Sequence, residues 1–198
     1  FHKLEKEPAK TVTRNRLVAL GWHTEGSGSS SSSSSSYTCI AYSEDNGITW
    51  TKSRTFEKAG AAPVLVAGDN KFVYYSADTE ISYSLDGINW VKTAQDIIDD
   101  GTPKFNYKAA AYGNNGFVAF YYKMSSTDFS SADFTGITVP LHSLDGITWE
   151  KGQEITIKST LLDIVYGGDK YVAVGAPMDE VESSVAQDAQ ICYSLDGL

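Results

Sequence analysis

Four copies of one short phrase divide this chain: Ser43-Glu-Asp45-Asn-Gly47-Ile-Thr-Trp50, Ser84-Leu-Asp86-Gly87-Ile-Asn-Trp90, Ser143-Leu-Asp145-Gly146-Ile-Thr-Trp149 and a shorter Ser194-Leu-Asp196-Gly197. Their serines stand 41, 59 and 51 residues apart. Self-similar segments at such a period build solenoids or propeller blades. The residue types explain why they recur together. A strand that reverses tightly needs a residue with positive φ, and Gly47, Gly87, Gly146 and Gly197 supply it without a Cβ clash. The Ser and Asp side chains can bond the free backbone N–H groups of such a turn, which closes it with local groups alone. In each complete copy a Trp follows the Gly by three residues, opens the next strand, and is expected to bury its ring against the neighbouring unit. The phrase thus reads as a hairpin corner with its own anchor.

These corners resemble the Asp-box, or BNR repeat, of sialidase-like β-propellers. The first copy matches that family's Ser-x-Asp-x-Gly-x-Thr-Trp spacing in full; the later copies are one residue shorter between Asp and Gly, and Asn89 replaces Thr in the second. The resemblance implies a propeller fold in which the corner is a structural turn on the face away from any active site.

The spacers support the same architecture. Val64-Leu-Val-Ala67, a turn at Gly68 to Lys71 and Phe72-Val-Tyr-Tyr75 reappear as Ala109 to Tyr112, Gly113 to Gly116 and Phe117 to Phe120. They reappear again as Leu162 to Tyr166, Gly167 to Lys170 and Tyr171 to Val174, while Lys10 to Thr13 and Leu17 to Leu20 give a first version. The second strand of each set is apolar at nearly every position, which implies burial on both faces. Adding a third strand, the corner and a fourth strand gives four antiparallel strands per repeat, one propeller blade. The expected fold is all-β: a propeller of about four blades at roughly 9–58, 59–105, 106–158 and 159–198, the last incomplete. Propellers of the resembling family close with more blades. Residues beyond these, or another chain, are therefore expected to complete the ring. A low-complexity stretch, Gly26 to Ser36, reads as a flexible insertion between two strands of the first blade.

Charge and composition narrow the partners. With 16 basic and 25 acidic residues the net charge is −9, which disfavours nucleic acid and anionic membranes. No apolar run approaches the roughly 20 residues of a membrane-spanning helix, and no signal-peptide pattern opens the chain. Cys39 and Cys192 fall in different repeats and read as buried free thiols rather than a disulfide. The abundance of Tyr, Ser, Gly and Asp and the scarcity of Arg fit a module displayed on secreted, cell-surface or phage-tail proteins.

Chemistry is expected on the rim opposite the corners, where the long variable segments gather. Those segments carry Asp96, Asp99, Asp100, Asp128, Phe129, Asp133, Phe134, Asp179, Glu180, Glu182 and Asp188. Carboxylates accept from sugar hydroxyls and aromatic rings stack on sugar faces, so Asp128, Phe129, Asp133, Phe134, Asp179, Glu180, Glu182 and Asp188 are candidate binding residues for a glycan or protein surface. The oxygen ligands would also suit calcium, but no Asp-x-Asp-x-Asp-Gly loop is present, and no metal site or cofactor is expected. Sialidases, which the chain resembles in fold, hold the substrate carboxylate with three arginines. Here the only arginines are Arg14, Arg16 and Arg54, the first two on the turn side, which argues against that activity. A glycosidase with two carboxylates partly outside this stretch is the alternative, followed by a structural assembly module. His2, His23 and His142 are scattered, and no nucleophile elbow or phosphate-binding loop is present.

Overall fold

The computed structural model describes residues 16–25, 35–56, 63–76, 80–93, 104–105, 109–124, 136–156, 159–177 and 190–197. They form four antiparallel sheets that follow one another along the chain, with no helix among them. The first holds β1 (Leu17–Glu25), β2 (Ser35–Ser43) and β3 (Thr51–Phe56); the second holds β4 (Val64–Gly68), β5 (Lys71–Ser76), β6 (Glu80–Ser84) and β7 (Val91–Lys92). The third contains β8 (Lys104–Phe105), β9 (Ala110–Gly113), β10 (Gly116–Met124), β11 (Gly136–Ser143), β12 (Glu150–Lys151) and β13 (Ile155–Thr156). The fourth contains β14 (Ser159–Gly167), β15 (Lys170–Pro177) and β16 (Gln190–Ser194). In the first, second and fourth sheets consecutive strands lie side by side, the meander of a propeller blade; in the third, β9, β10, β11 and β12 do so, while β8 joins β10 and β13 joins β11. The Lys10 to Thr13 strand expected from the sequence lies outside the described residues.

Short reversals follow from local chemistry. Asp69 and Asn70 join β4 to β5 with φ of 45° and 56°, and Gly168 and Asp169 join β14 to β15 with φ of 57° and 60°. Two successive positive φ values match the twist of the flanking strands, and Asn, Asp and Gly tolerate them best. Some strands run further than the sequence suggests. Pairing continues through Trp22↔Thr38 to Glu25↔Ser35, so the end of the serine run is strand rather than loop. Tyr122↔Thr138 to Met124↔Gly136 extends the next long hairpin likewise. The connections expected between blades also carry short strands, β8 on β10 and β13 on β11.

The core is divided into three layers, one between each pair of successive sheets. Ile40 and Phe56 meet Tyr74 between the first and second sheets, with Val18, Leu20 and Trp90 at the margin. Val73, Tyr75 and Ile81 meet Phe117, Ala119, Tyr121, Leu141 and Trp149 between the second and third. Ala109, Ala111 and Val118 meet Leu161, Ile164, Tyr171 and Ala173 between the third and fourth. Successive side chains of a strand point to opposite faces. Phe117 therefore packs backward and Val118 forward, which is why β10 is apolar without alternation.

Small residues set how closely the sheets approach. A Cβ placed on Gly87 would lie 2.4 Å from Val18, on Gly146 2.9 Å from Val73, and on Gly197 2.3 Å from Val118. These three corner glycines thus each seat against a valine of the preceding sheet. Gly68 lies beneath the Tyr112 ring and Gly113 beneath Tyr166, where a Cβ would approach ring carbons to 2.0 and 2.2 Å. At Gly167, the counterpart in the fourth sheet, nothing lies within 4 Å. The two outer sheets accordingly show apolar side chains: Leu17 and Trp50 on the first, Val165, Val174, Ile191 and Tyr193 on the fourth.

Candidate functional site

Antiparallel order sends the short reversals and the four corners to one rim and the long connections to the other. The corner rim closes on itself. Each serine hydroxyl accepts from the glycine N–H at 2.8 Å: Gly47 to Ser43, Gly87 to Ser84, Gly146 to Ser143 and Gly197 to Ser194. The same hydroxyls donate to Asp45, Asp86, Asp145 and Asp196 at 2.7, 3.0, 3.1 and 2.9 Å. Asp45 also accepts from the Thr49 N–H at 2.8 Å and its hydroxyl at 2.5 Å. In the second corner the Asn89 amide donates to Asp86 Oδ2 at 2.7 Å, so Asn does the work of Thr. The indoles of Trp50, Trp90 and Trp149 donate back to the carbonyls of Gly47, Gly87 and Gly146 at 3.0, 3.2 and 3.3 Å. The extra residue of the first corner is absorbed by Asn46 at φ 59° beside Gly47 at φ 88°.

These bonds decide the ionisation of the corner acids. The Thr49 hydroxyl and N–H, with the Ser43 hydroxyl, hold the Asp45 carboxyl down to about 2. Partial burial pushes Asp86 and Asp145 upward, but the N–H groups of residues 88–89 and 147–148 outweigh it and both lie below the usual carboxylate range. A carboxylate held ionised by several donors has no proton to give near neutral pH and is unsuited to general acid catalysis.

Other polar groups on this rim tie adjacent sheets together. Arg16 donates to the Asp86 carbonyl and pairs with Glu44, so it is committed far from any loop-side substrate. Asn115 Nδ2 donates to the Leu195 carbonyl at 2.7 Å, and half-buried His142 meets the Asn115 carbonyl at 2.5 Å. Tyr171 donates to the Gly116 carbonyl at 2.8 Å; burial, then nearby Tyr166, raises its pKa. Arg54 lies over the Phe56 ring at 4.5 Å and reaches Ser82 at 3.4 Å, away from Arg16, so no arginine cluster exists among the described residues. Arg14 lies outside them. Cys39 and Cys192 are free thiols, half-buried rather than fully buried, on separate sheets.

The candidate binding residues Asp128, Phe129, Asp133, Phe134, Asp179, Glu180, Glu182 and Asp188 lie outside the described residues, as do Asp96, Asp99 and Asp100. What the structure does show is the base from which those loops depart. Tyr74 and Tyr75 near the loop-side end of β5, and Tyr121 and Tyr122 on β10, are all buried. Thr38 and Thr138, which occupy the same place five residues before their corner serines, bury hydroxyls that have no hydrogen-bond partner among the described residues. A layer rich in hydroxyl groups thus lies below the loop rim. The Tyr-Tyr pairs were visible in the sequence, but strand periodicity alone gave no reason to separate them from ordinary core residues. Among the described residues no group of three or more His, Cys, Asp or Glu could hold a metal ion.

No family model matches the sequence, and no curated protein matches it. A solved structure described as "Glycoside hydrolase" superposes with a TM-score of 0.50 at 13% identity, covering 90% of this chain and 68% of its own. That likeness is one of fold. A glycosyl hydrolase from Bacteroides ovatus aligns with TM-score 0.43 at 12% identity, over 89% of this chain and 62% of its own. YCF48 bound to D1 peptide aligns with TM-score 0.34 at 15% identity, over 71% and 58%. The chain is an all-β protein of propeller architecture, and it spans between 58% and 68% of the length of these three structures.

Proposed function

We propose that the protein is a non-catalytic recognition module that binds a glycan or a protein surface through its loop rim. The observation that supports this most is the commitment of the corner acids: Asp45, Asp86 and Asp145 spend their acceptors on their own turns and are held ionised. The loop segments carry further acids, interleaved with Phe129 and Phe134. Rings and carboxylates on loops, above a rigid sheet framework, suit sugar recognition. The corner spacing belongs with the Asp-box reading, and the composition with a secreted, cell-surface or phage-tail setting. Calcium would be an accessory to the loop carboxylates, not a structural requirement.

The test is titration against a panel of glycans with hydrolysis followed in parallel. Replacing Phe129 with Ala or Asp128 with Asn should weaken binding roughly tenfold, about 1.4 kcal/mol, with no sugar released by the parent protein. Turnover that one carboxylate substitution abolishes would overturn the proposal in favour of a glycoside hydrolase. That second reading draws on the name of the structure that shares the fold. A third, assembly through the outer sheets, is supported by the exposed Ile191 and Tyr193. It predicts an oligomer indifferent to sugars.

A further inference from the structure

Each of the four corners shows a large aliphatic side chain to solvent: Ile48 is 82% exposed, Leu85 69%, Leu144 74% and Leu195 61%. Leu85, Leu144 and Leu195 occupy one equivalent place, the residue after the corner serine. Turn chemistry does not ask for leucine there. The corner closes through serine, aspartate and glycine, and the first corner makes the same serine bonds with Glu44 in that place. Nor does the exposure come from a missing neighbour, because the second and third sheets, which carry Leu85 and Leu144, have a packed sheet on either side. A single exposed leucine is ordinary, but one repeated on successive sheets makes an apolar row along the corner rim.

Beside Leu85 and Leu144 stand Asp86 and Asp145, kept ionised by the N–H groups of their own turns. Two cations of this rim are already paired, Arg16 with Glu44 and Lys71 with Asp69, and Lys170 lies over the Tyr193 ring. The row therefore alternates apolar and negative groups. Stacked sheets stand about 10 Å apart, and an α-helix advances about 10.5 Å over seven residues. A helix laid across the rim can thus set one apolar residue on each leucine, with lysines or arginines between them toward the aspartates. We propose that the corner rim is a docking surface for a basic amphipathic helix of a partner protein. A second copy of this chain would bring the same carboxylates against one another, and an anionic membrane would meet them with like charge. The surface lies opposite the loop rim, and the inference is independent of what that rim binds.

The test is fluorescence anisotropy with a labelled leucine–lysine peptide whose leucines follow that heptad spacing. The protein should bind it about tenfold more tightly than a leucine–glutamate peptide of the same spacing or a scrambled leucine–lysine peptide. Replacing Leu85, Leu144 and Leu195 together with Gln keeps the net charge at −9. It should weaken binding of the spaced leucine–lysine peptide about tenfold and move the melting temperature by no more than about 2 °C. Equal affinity of parent and variant, or of spaced and scrambled peptides, would overturn the proposal, since attraction would then be one of charge alone. A variant that melts far lower would also overturn it, by showing that the leucines serve the fold. Two further results would replace the helix with another occupant: a parent dimer that the variant lacks, or leucine-dependent sedimentation with phosphatidylcholine vesicles.

Discussion

The first and third corners share their serine, aspartate and indole bonds, although the first carries one more residue, and they differ most in what lies behind them. In both, the serine hydroxyl accepts from the glycine N–H, the aspartate accepts from the N–H of the residue before the Trp, and the indole N–H donates to the glycine carbonyl. Yet Trp149 is 1% exposed and Trp50 is 46% exposed. Trp149 has the second sheet against it, with Val73 under Gly146. Trp50 faces the side of the first sheet where no described sheet lies, and among the described residues a Cβ on Gly47 would meet only Leu17 and Trp50 itself, at ordinary distances. The turn is therefore a local object that folds wherever its residues occur, whereas the anchor role of the Trp depends on a neighbour.

Substitutions at equivalent places should expose this difference. Replacing Trp149 with Ala removes a fully buried ring and leaves a cavity, which should cost about 3–5 kcal/mol in urea unfolding. Trp50→Ala should cost less than about 1 kcal/mol, the range of surface changes. Half-buried Trp90 should fall between. Equal losses at Trp50 and Trp149 would mean that the indole acts within its own turn and not between sheets. A smaller contrast is expected at Gly113 and Gly167. Ala at Gly113 must push the Tyr166 ring aside, at about 1–3 kcal/mol, whereas Ala at Gly167 has open space and should change stability by no more than about 0.5 kcal/mol. A loss at Gly167 as large as at Gly113 would show that strand geometry, not the ring, excludes the side chain.

What the sequence revealed follows the same division. The corners were legible in detail because every bond in them joins residues within seven positions, and the chemistry of Ser, Asp and Gly dictates the geometry. Burial of β5 and β10 on both faces was legible from unbroken apolar runs. The graded exposure of the three Trp residues was not, because it depends on which sheet comes next. Nor was the seating of Gly87, Gly146 and Gly197 on Val18, Val73 and Val118, a contact between repeats that no local pattern encodes. The strand at Ser35 was hidden by a serine run whose composition reads as linker, while pairing with Glu25 continues the hairpin regardless. For the loop rim the sequence offers acids and rings without a fixed spacing. Asp128, Phe129, Asp133 and Phe134 are candidates by chemistry and position in the topology, not by a motif.

The smallest contrast concerns acid. The Asp45 carboxyl has its pKa lowered from 3.8 to about 2 by the Thr49 and Ser43 donors. A group whose folded pKa is depressed stabilises the fold at pH values above its unfolded pKa, and that contribution is lost as protons bind to the folded form. The loss should begin as pH falls through 3.8 and be complete below about 2. Asp45→Asn removes the charge at every pH, so the difference in melting temperature between parent and variant should be constant above pH 5 and shrink steadily toward pH 2. An unchanged difference across that range would mean that the Asp45 charge contributes nothing to closing the first corner. Asp145 in the third corner offers the matching measurement. Its lowered pKa survives the opposing push of burial, so Asp145→Asn should show the same acid-side convergence. Because the parent loses its bonds there between two packed sheets, that convergence should be accompanied by looser packing around Trp149, seen as a red shift of its emission. At the first corner the emission of exposed Trp50 should barely respond.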